Sequence, residues 1–152
     1  TYPSRQELPL LAESAQATLK EIGIDVQVNC TSDNNTIRKD PTLWDVYASA
    51  MVTAPTGDPQ YFFTSCALDS SVSNNGHYHS DKLEELAAQI EKEFDTEKRS
   101  ELGIQMQQTV LDDHAYVFCS HLKMSMIMQS NVTGLVAHPC DYYELTADLD
   151  IN

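Results

Sequence analysis

The stretch Ala54–Phe63 has the sequence APTGDPQYFF, and the rest of the chain is organised around it. Two prolines and a glycine predict a turn, and the aromatic residues after it predict a short helix. Pro59 suits the first helical position, where an amide hydrogen would lack a partner. Asp58 is then the expected N-cap. The stretch is either a capped strand-to-helix loop or, in a sharper interpretation, the rim of a ligand cleft.

The segment before this loop alternates apolar and polar residues, which predicts a β-strand over 44–52. Similar patterns predict further extended segments elsewhere in the chain. These segments are 24–30, 115–121, 123–129, 132–136 and 140–145. Together with the helices described next, they predict an α/β fold.

Apolar residues recur at helical spacing in three places. The first helix is expected over about 6–22, with Ser4 as its cap and Gly23 as its stop. The second runs through Leu83–Phe94 and takes its start signal from Asp81 and Glu84. Asp95 is expected to begin the third helix.

The third helix is expected to turn a mainly apolar set of residues inward and to end near 112–114. The inward set is Leu102, Met106, Thr109 and Val110. Lys98 and Arg99 fit an exposed outer face. The second and third helices are expected to form a helical hairpin against a sheet.

The composition is strongly acidic, with 23 acidic and 9 basic residues and a formal net charge of −14. Nucleic-acid binding needs a basic surface, so it is not expected. No run of residues is apolar enough for a membrane-spanning helix. The start of the chain lacks a signal-peptide pattern and is expected to continue a strand from a longer protein.

Catalytic motifs are absent: the sequence has no G-x-S-x-G, no P-loop and no H-E-x-x-H. The one local metal-like feature is His77-Tyr78-His79, because histidines two apart on extended backbone point the same way. Asp58 or Asp69 can add an oxygen ligand, but loop histidines can equally be solvent-exposed and bind nothing. Four cysteines, none in C-x-x-C spacing, allow three disulfide pairings or free thiols.

Four blocks along the chain carry a family resemblance. They are a helix–Gly–strand block over 8–26, the D-P-x-x-F of Asp58–Phe62, the N-x-x-Y and D-x-x-x-R patterns over 75–99, and the V-x-G of 132–134. In this order they resemble the C-terminal lobe of bacterial extracellular solute-binding proteins of family 5. These proteins are the peptide- and nickel-binding components of ABC importers.

The resemblance implies a periplasmic-binding-protein-like lobe of type II, cluster C, with a mixed sheet flanked by helices. Residues 1–152 are then the C-terminal lobe of a longer, two-lobe protein. The partners implied are the missing N-terminal lobe, a small ligand and a membrane ABC permease. The implied location is extracytoplasmic, as a periplasmic protein or a membrane-anchored lipoprotein.

The resemblance also implies which residues bind the ligand. The expected contacts in the loop are Thr53, Ala54, Pro55, Thr56, Gly57, Asp58 and Tyr61. His77 and His79 are the expected metal contacts. Nickel or a nickel chelate is then transported rather than used as a catalytic cofactor, and no catalysis is expected.

Two alternatives to the nickel interpretation stay open. Peptide-binding members of the family commonly have Trp-x-x-Asp before their D-P, whereas this chain has Met51–Ala54 there. That departure favours the nickel-type members, although Asp58 itself can receive a peptide ammonium group. The alternative from another class is a metal-dependent hydrolase, which needs three or more clustered ligands.

Overall fold

The computed structural model describes residues 1–123, 125–137 and 145–151. Its helices in these ranges are α1 (Glu7–Glu21), α2 (Asn34–Ile37), α3 (Gln60–Cys66), α4 (Asp81–Ile90) and α5 (Thr96–Asp112). A short 3₁₀ helix covers Pro41–Leu43, and strands β1 (Val132–Thr133) and β2 (Asp150–Ile151) pair antiparallel. None of the helices found in these ranges has the length and apolar character needed to cross a bilayer.

The core lies between α3, α4 and α5. Its largest fully buried side chains are Phe63 from α3, Leu83 and Ile90 from α4, and Met106 and Val110 from α5. Their helical spacing turns one face of each helix inward. Each such side chain contributes about 1.5–3 kcal/mol when fully buried, so this packing is the main source of stability in the region. The predicted helical hairpin is confirmed.

The helix α1 has the predicted extent but little of the predicted burial. Gly23 ends it with a positive φ of 84°, as expected for a glycine stop. The cap predicted at Ser4 is wrong, because the N-cap is Gln6 and makes no side-chain cap bond. Leu8 is the one residue of α1 that is buried, and Ile22 is 72% exposed.

The helix α5 begins where the sequence predicts. The carboxylate of Asp95 accepts hydrogen bonds from the amides of Glu97 and Lys98 at 3.1 and 3.0 Å. The helix α4 begins at Asp81, as the start signal there predicts, although Ser80 holds the N-cap position and makes no side-chain cap bond. Phe94 also falls outside α4 and is 90% exposed, since the helix ends four residues earlier.

The predicted strands over 24–30, 44–52 and 115–121 are wrong, and so is the one over 123–129 as far as it is described. A strand exists only where a neighbouring strand completes its hydrogen bonds. In the described ranges the first of these segments makes only isolated bonds of that kind, to Thr1. The one sheet found there has two strands, so the expected mixed sheet is not seen among these residues.

The cysteines that the structure describes are free thiols. Cys66 is buried, its sulfur lies 3.1 Å from that of Met51, and burial raises the pKa of its thiol. Cys30 and Cys119 are exposed. Cys140 lies outside the described residues, as does most of the predicted extended segment over 140–145.

Candidate functional site

The loop between residue 53 and α3 is a turn closed by its own backbone. The amide of Gly57 donates to the carbonyl of Ala54 at 3.0 Å, and Gly57 has a φ of 77°, which favours glycine. The carboxylate of Asp58 then accepts from the amide of Gln60 at 2.8 Å. The carboxylate of Asp58 thus makes the predicted bond to a first-turn amide, but Pro59, predicted at the first helical position, holds the N-cap position of α3 instead of Asp58. The short aromatic helix follows as predicted.

The second carboxylate oxygen of Asp58 binds an arginine from α5. Nη2 of Arg99 lies 2.7 Å from Oδ2 of Asp58 and 3.1 Å from Oε1 of Gln60. The side chain of Arg99 is only 20% exposed. Its predicted place on an exposed outer face is wrong, because the loop and the end of α4 cover it.

The proline of the D-P pair packs on the same face of α5. An atom at the Cβ position of Gly103 would lie 2.9 Å from Cβ of Pro59, closer than side chains normally approach. Arg99 and Gly103 are four residues apart, so both face the loop. On one face of α5, the guanidinium of Arg99 thus binds Asp58, and the missing side chain of Gly103 leaves room for Pro59.

A small open cavity of about 270 Å³ lies between the loop and the first turns of α5. The polar residues around it include Thr56, Gly57, Asp58, Thr96, Arg99 and Ser100. Drug-sized ligands usually occupy about 300–1,000 Å³. The cavity is thus suited to a small polar group or to one wall of a larger cleft.

The predicted ligand contacts divide into two sets. Thr56, Gly57 and Asp58 line this cavity, whereas the other four do not. Those four are Thr53, Ala54, Pro55 and Tyr61. Ala54, Thr56 and Gly57 are exposed at the tip of the turn, and Tyr61 is 40% exposed on α3. The tip thus exposes backbone and small side chains.

The histidine pair has a different geometry from the one expected. His77 is exposed and has a φ of 53°, so the extended backbone assumed for the pair is wrong at this residue. His79 lies between two carboxylates, with Nδ1 2.9 Å from Asp69 and Nε2 3.2 Å from Asp81. The hydrogen bond with Asp69, then its charge, raises the pKa of His79. Metal binding by His77 and His79 stays a prediction.

In residues 1–123, 125–137 and 145–151, no three His, Cys, Asp or Glu side chains are grouped closely enough to hold a metal ion. The cluster that a metal-dependent hydrolase requires is therefore not found in that part of the chain. The two ring nitrogens of His79 instead face carboxylates, Nδ1 that of Asp69 and Nε2 that of Asp81.

The sequence interpretation missed Thr96, Arg99 and Ser100 as neighbours of the loop. Arg99 had a positional signal, because residues 99, 103, 106 and 110 follow the spacing of the inward stripe of α5. The prediction placed Arg99 outside because its side chain is charged, although the spacing placed it on the inward face. A glycine one turn after the arginine was the second signal.

No protein-family model matches the chain. A curated relative is 28% identical over 103 residues, which are 68% of this chain and 21% of the relative. That relative is the nickel-binding protein NikA of Staphylococcus aureus. A crystal structure of S. aureus NikA in complex with Ni(L-His)₂ matches with a TM-score of 0.71 and 25% identity.

The structural match to NikA covers 74% of this chain and 24% of the NikA chain. This chain therefore spans between a fifth and a quarter of the relative that it matches. It is similar to part of a nickel-binding protein in both sequence and fold. This similarity supports a ligand-binding role.

Proposed function

We propose that this chain is the C-terminal ligand-binding lobe of an ABC-importer solute-binding protein, and that its cargo is nickel or a nickel chelate. The observation that carries the proposal is the likeness in fold to NikA, with a TM-score of 0.71. That NikA was solved with Ni(L-His)₂ bound. In this proposal the fold is a type II α/β lobe, and the protein binds without catalysing a reaction.

The proposed mechanism is closure of two lobes around the ligand. The loop over 53–58, with Tyr61, forms one wall, and an N-terminal lobe of the same protein forms the other. The ligand stabilises the closed state only through contacts that it makes better there than in the open state. The closed protein then docks on a membrane permease, outside the cytoplasm.

The geometry of the loop supports contact through its tip rather than through Asp58. The carboxylate of Asp58 is already bound by Arg99 and by the amide of Gln60. Thr56 and Gly57 are exposed and line the cavity. A hydroxyl and backbone groups suit the carboxylates and amines of an amino-acid chelate.

His77 and His79 are the proposed contacts to the metal itself. Nδ1 of His79 already lies against Asp69, as in the carboxylate–histidine pairs that orient metal ligands. Nε2 becomes available when the contact with Asp81 is released. Binding through His79 therefore requires a neutral imidazole and should weaken as pH falls.

Calorimetry tests the proposal by titrating the chain with Ni²⁺ in the presence of L-histidine. We expect weak but measurable binding, because one lobe supplies only part of the cleft. His77→Ala with His79→Ala should weaken it, whereas His121→Ala, which removes another exposed histidine, should not. Ni²⁺ alone and L-histidine alone serve as ligand controls.

Two results would contradict the proposal. If the folded protein does not bind nickel–histidine even at millimolar concentration, a nickel chelate is ruled out as the cargo. Stabilisation by short peptides but not by nickel–histidine in a thermal-shift series establishes the peptide-binding alternative, because a ligand that binds only the native state raises the melting temperature.

A further inference from the structure

The guanidinium of Arg99 joins three separate elements. Nη1 donates to the carbonyls of Ile90 and Glu93 at 2.6 and 2.8 Å, at the C-terminal end of α4. Nη2 donates to Asp58 and Gln60, in the loop and the start of α3. The side chain itself projects from α5. One planar group with four hydrogen bonds thus fixes the loop to both helices of the hairpin.

The chemistry at each end of this connection favours arginine. Carbonyls at a helix C-terminus lack partners within the helix and carry partial negative charge, so a cation there is favourable. The carboxylate of Asp58 adds a full negative charge on the opposite side. The fork of arginine reaches both sides at once, which the single ammonium of lysine cannot do with the same geometry.

We propose that Arg99 is a positioning residue for the candidate binding loop: it holds the loop, through Asp58, in the conformation that receives ligand. The inference rests on the proposed function for the identity of the ligand but not for the anchoring itself. Arg99 acts through the loop, because its nitrogens are occupied by protein oxygens. Loss of the anchor frees the turn at residues 54–57 and lowers affinity through a loss of preorganisation.

The first test is amide hydrogen exchange, which needs no ligand. Arg99→Gln should speed exchange in residues 54–61 by about tenfold, since several hydrogen bonds to a charged group are lost. Asp58→Asn keeps the bonds of Arg99 to α4, so it should speed exchange in the loop and leave the end of α4 unchanged. Lys98→Gln removes a neighbouring exposed charge and should change neither region.

A purely structural role for Arg99 predicts a different pattern. Exchange would then rise at the end of α4 in Arg99→Gln, with no effect in the loop for Asp58→Asn. That pattern, or unchanged loop exchange in both variants, overturns the inference. Arg99→Lys should fall between wild type and Arg99→Gln, because it keeps the charge but loses the fork.

The second test measures binding of nickel–histidine to the same variants. We expect Arg99→Gln to weaken binding by about tenfold, because the freed loop loses its preorganisation, and Lys98→Gln to leave binding unchanged. Equal affinity for wild type and Arg99→Gln overturns the inference and leaves the proposed function intact. Wild type that binds no chelate overturns the proposed function, while the exchange result still decides whether Arg99 anchors the loop.

Discussion

The substitution Gly103→Ala is expected to destabilise the protein, although glycine to alanine inside a helix normally stabilises. The propensity gain is about 1 kcal/mol. Against it, the new methyl group would lie 2.9 and 3.3 Å from Cβ and Cγ of Pro59. The ring of Pro59 cannot rotate away, and overpacking of this kind costs about 1–3 kcal/mol. The net expectation is a loss of about 1 kcal/mol in the free energy of unfolding.

Urea denaturation of wild type and Gly103→Ala measures this loss. Gln107→Ala is the matched control, because it places alanine at an exposed position of the same helix and should be neutral or slightly stabilising. In a thermal melt, 1 kcal/mol corresponds to about 2–4 °C for a chain of this size. A Gly103→Ala protein that is more stable than wild type by about 1 kcal/mol would refute the close contact with Pro59.

Three further outcomes are expected. Asp95→Ala should lower the free energy of unfolding by about 1 kcal/mol, and Asp95→Ser should restore most of it, because the cap of α5 is lost and regained in urea denaturation. The raised pKa of His79 should appear in an NMR titration. The stability that the pairing of His79 with Asp69 provides should be full below about pH 6.5 and lost as pH rises through the folded pKa. The stabilities of Asp69→Asn and wild type should therefore converge at high pH. Tyr116→Phe should lower the free energy of unfolding by about 1 kcal/mol, because the hydroxyl of Tyr116 donates to the carbonyl of Cys66 at 2.6 Å. Spectroscopic titration should find one tyrosine with a pKa of about 12, raised chiefly by the burial of Tyr116. An unshifted titration of the histidine or of the tyrosine would contradict the packing around that residue.

Four of the helices found in the described ranges, α1, α3, α4 and α5, could be predicted from sequence because their signals are local. Asp95 caps α5, Gly23 ends α1, and the apolar spacing through Met106 and Val110 marks the buried face. Each signal lies within a few residues of the structure that it determines. The bond from the amide of Gln60 to the carboxylate of Asp58 could be predicted for the same reason.

The strand β1 lies within the predicted extended segment over 132–136. Other predicted strands failed because a strand depends on a partner that can be remote in the chain. The alternation over 44–52 and 115–121 describes side chains that suit a sheet, but no described neighbour completes their ladders. Val46 and Val117 are accordingly 85% and 86% exposed. Apolar alternation alone therefore fixes neither burial nor pairing.

The candidate site was predicted in part. The loop and its cap follow from the two prolines, the glycine and Asp58, all of which act locally. The contact between Asp58 and Arg99 joins residues 41 positions apart, which no local pattern specifies. The predicted orientation of the histidine pair is wrong, because the left-handed backbone of His77 breaks the extended conformation that the prediction assumed.

The separation between the anchor of the loop and its tip has a practical consequence. Asp58 and Pro59 contact α5, whereas the turn before them is closed by a backbone hydrogen bond from Gly57 to Ala54. The tip of the turn can therefore be varied while Asp58 and Pro59 keep its base attached to α5. Libraries that vary Ala54 and Thr56 while keeping Gly57 and the D-P pair should retain the fold and, under the proposed function, should alter the preference for cargo.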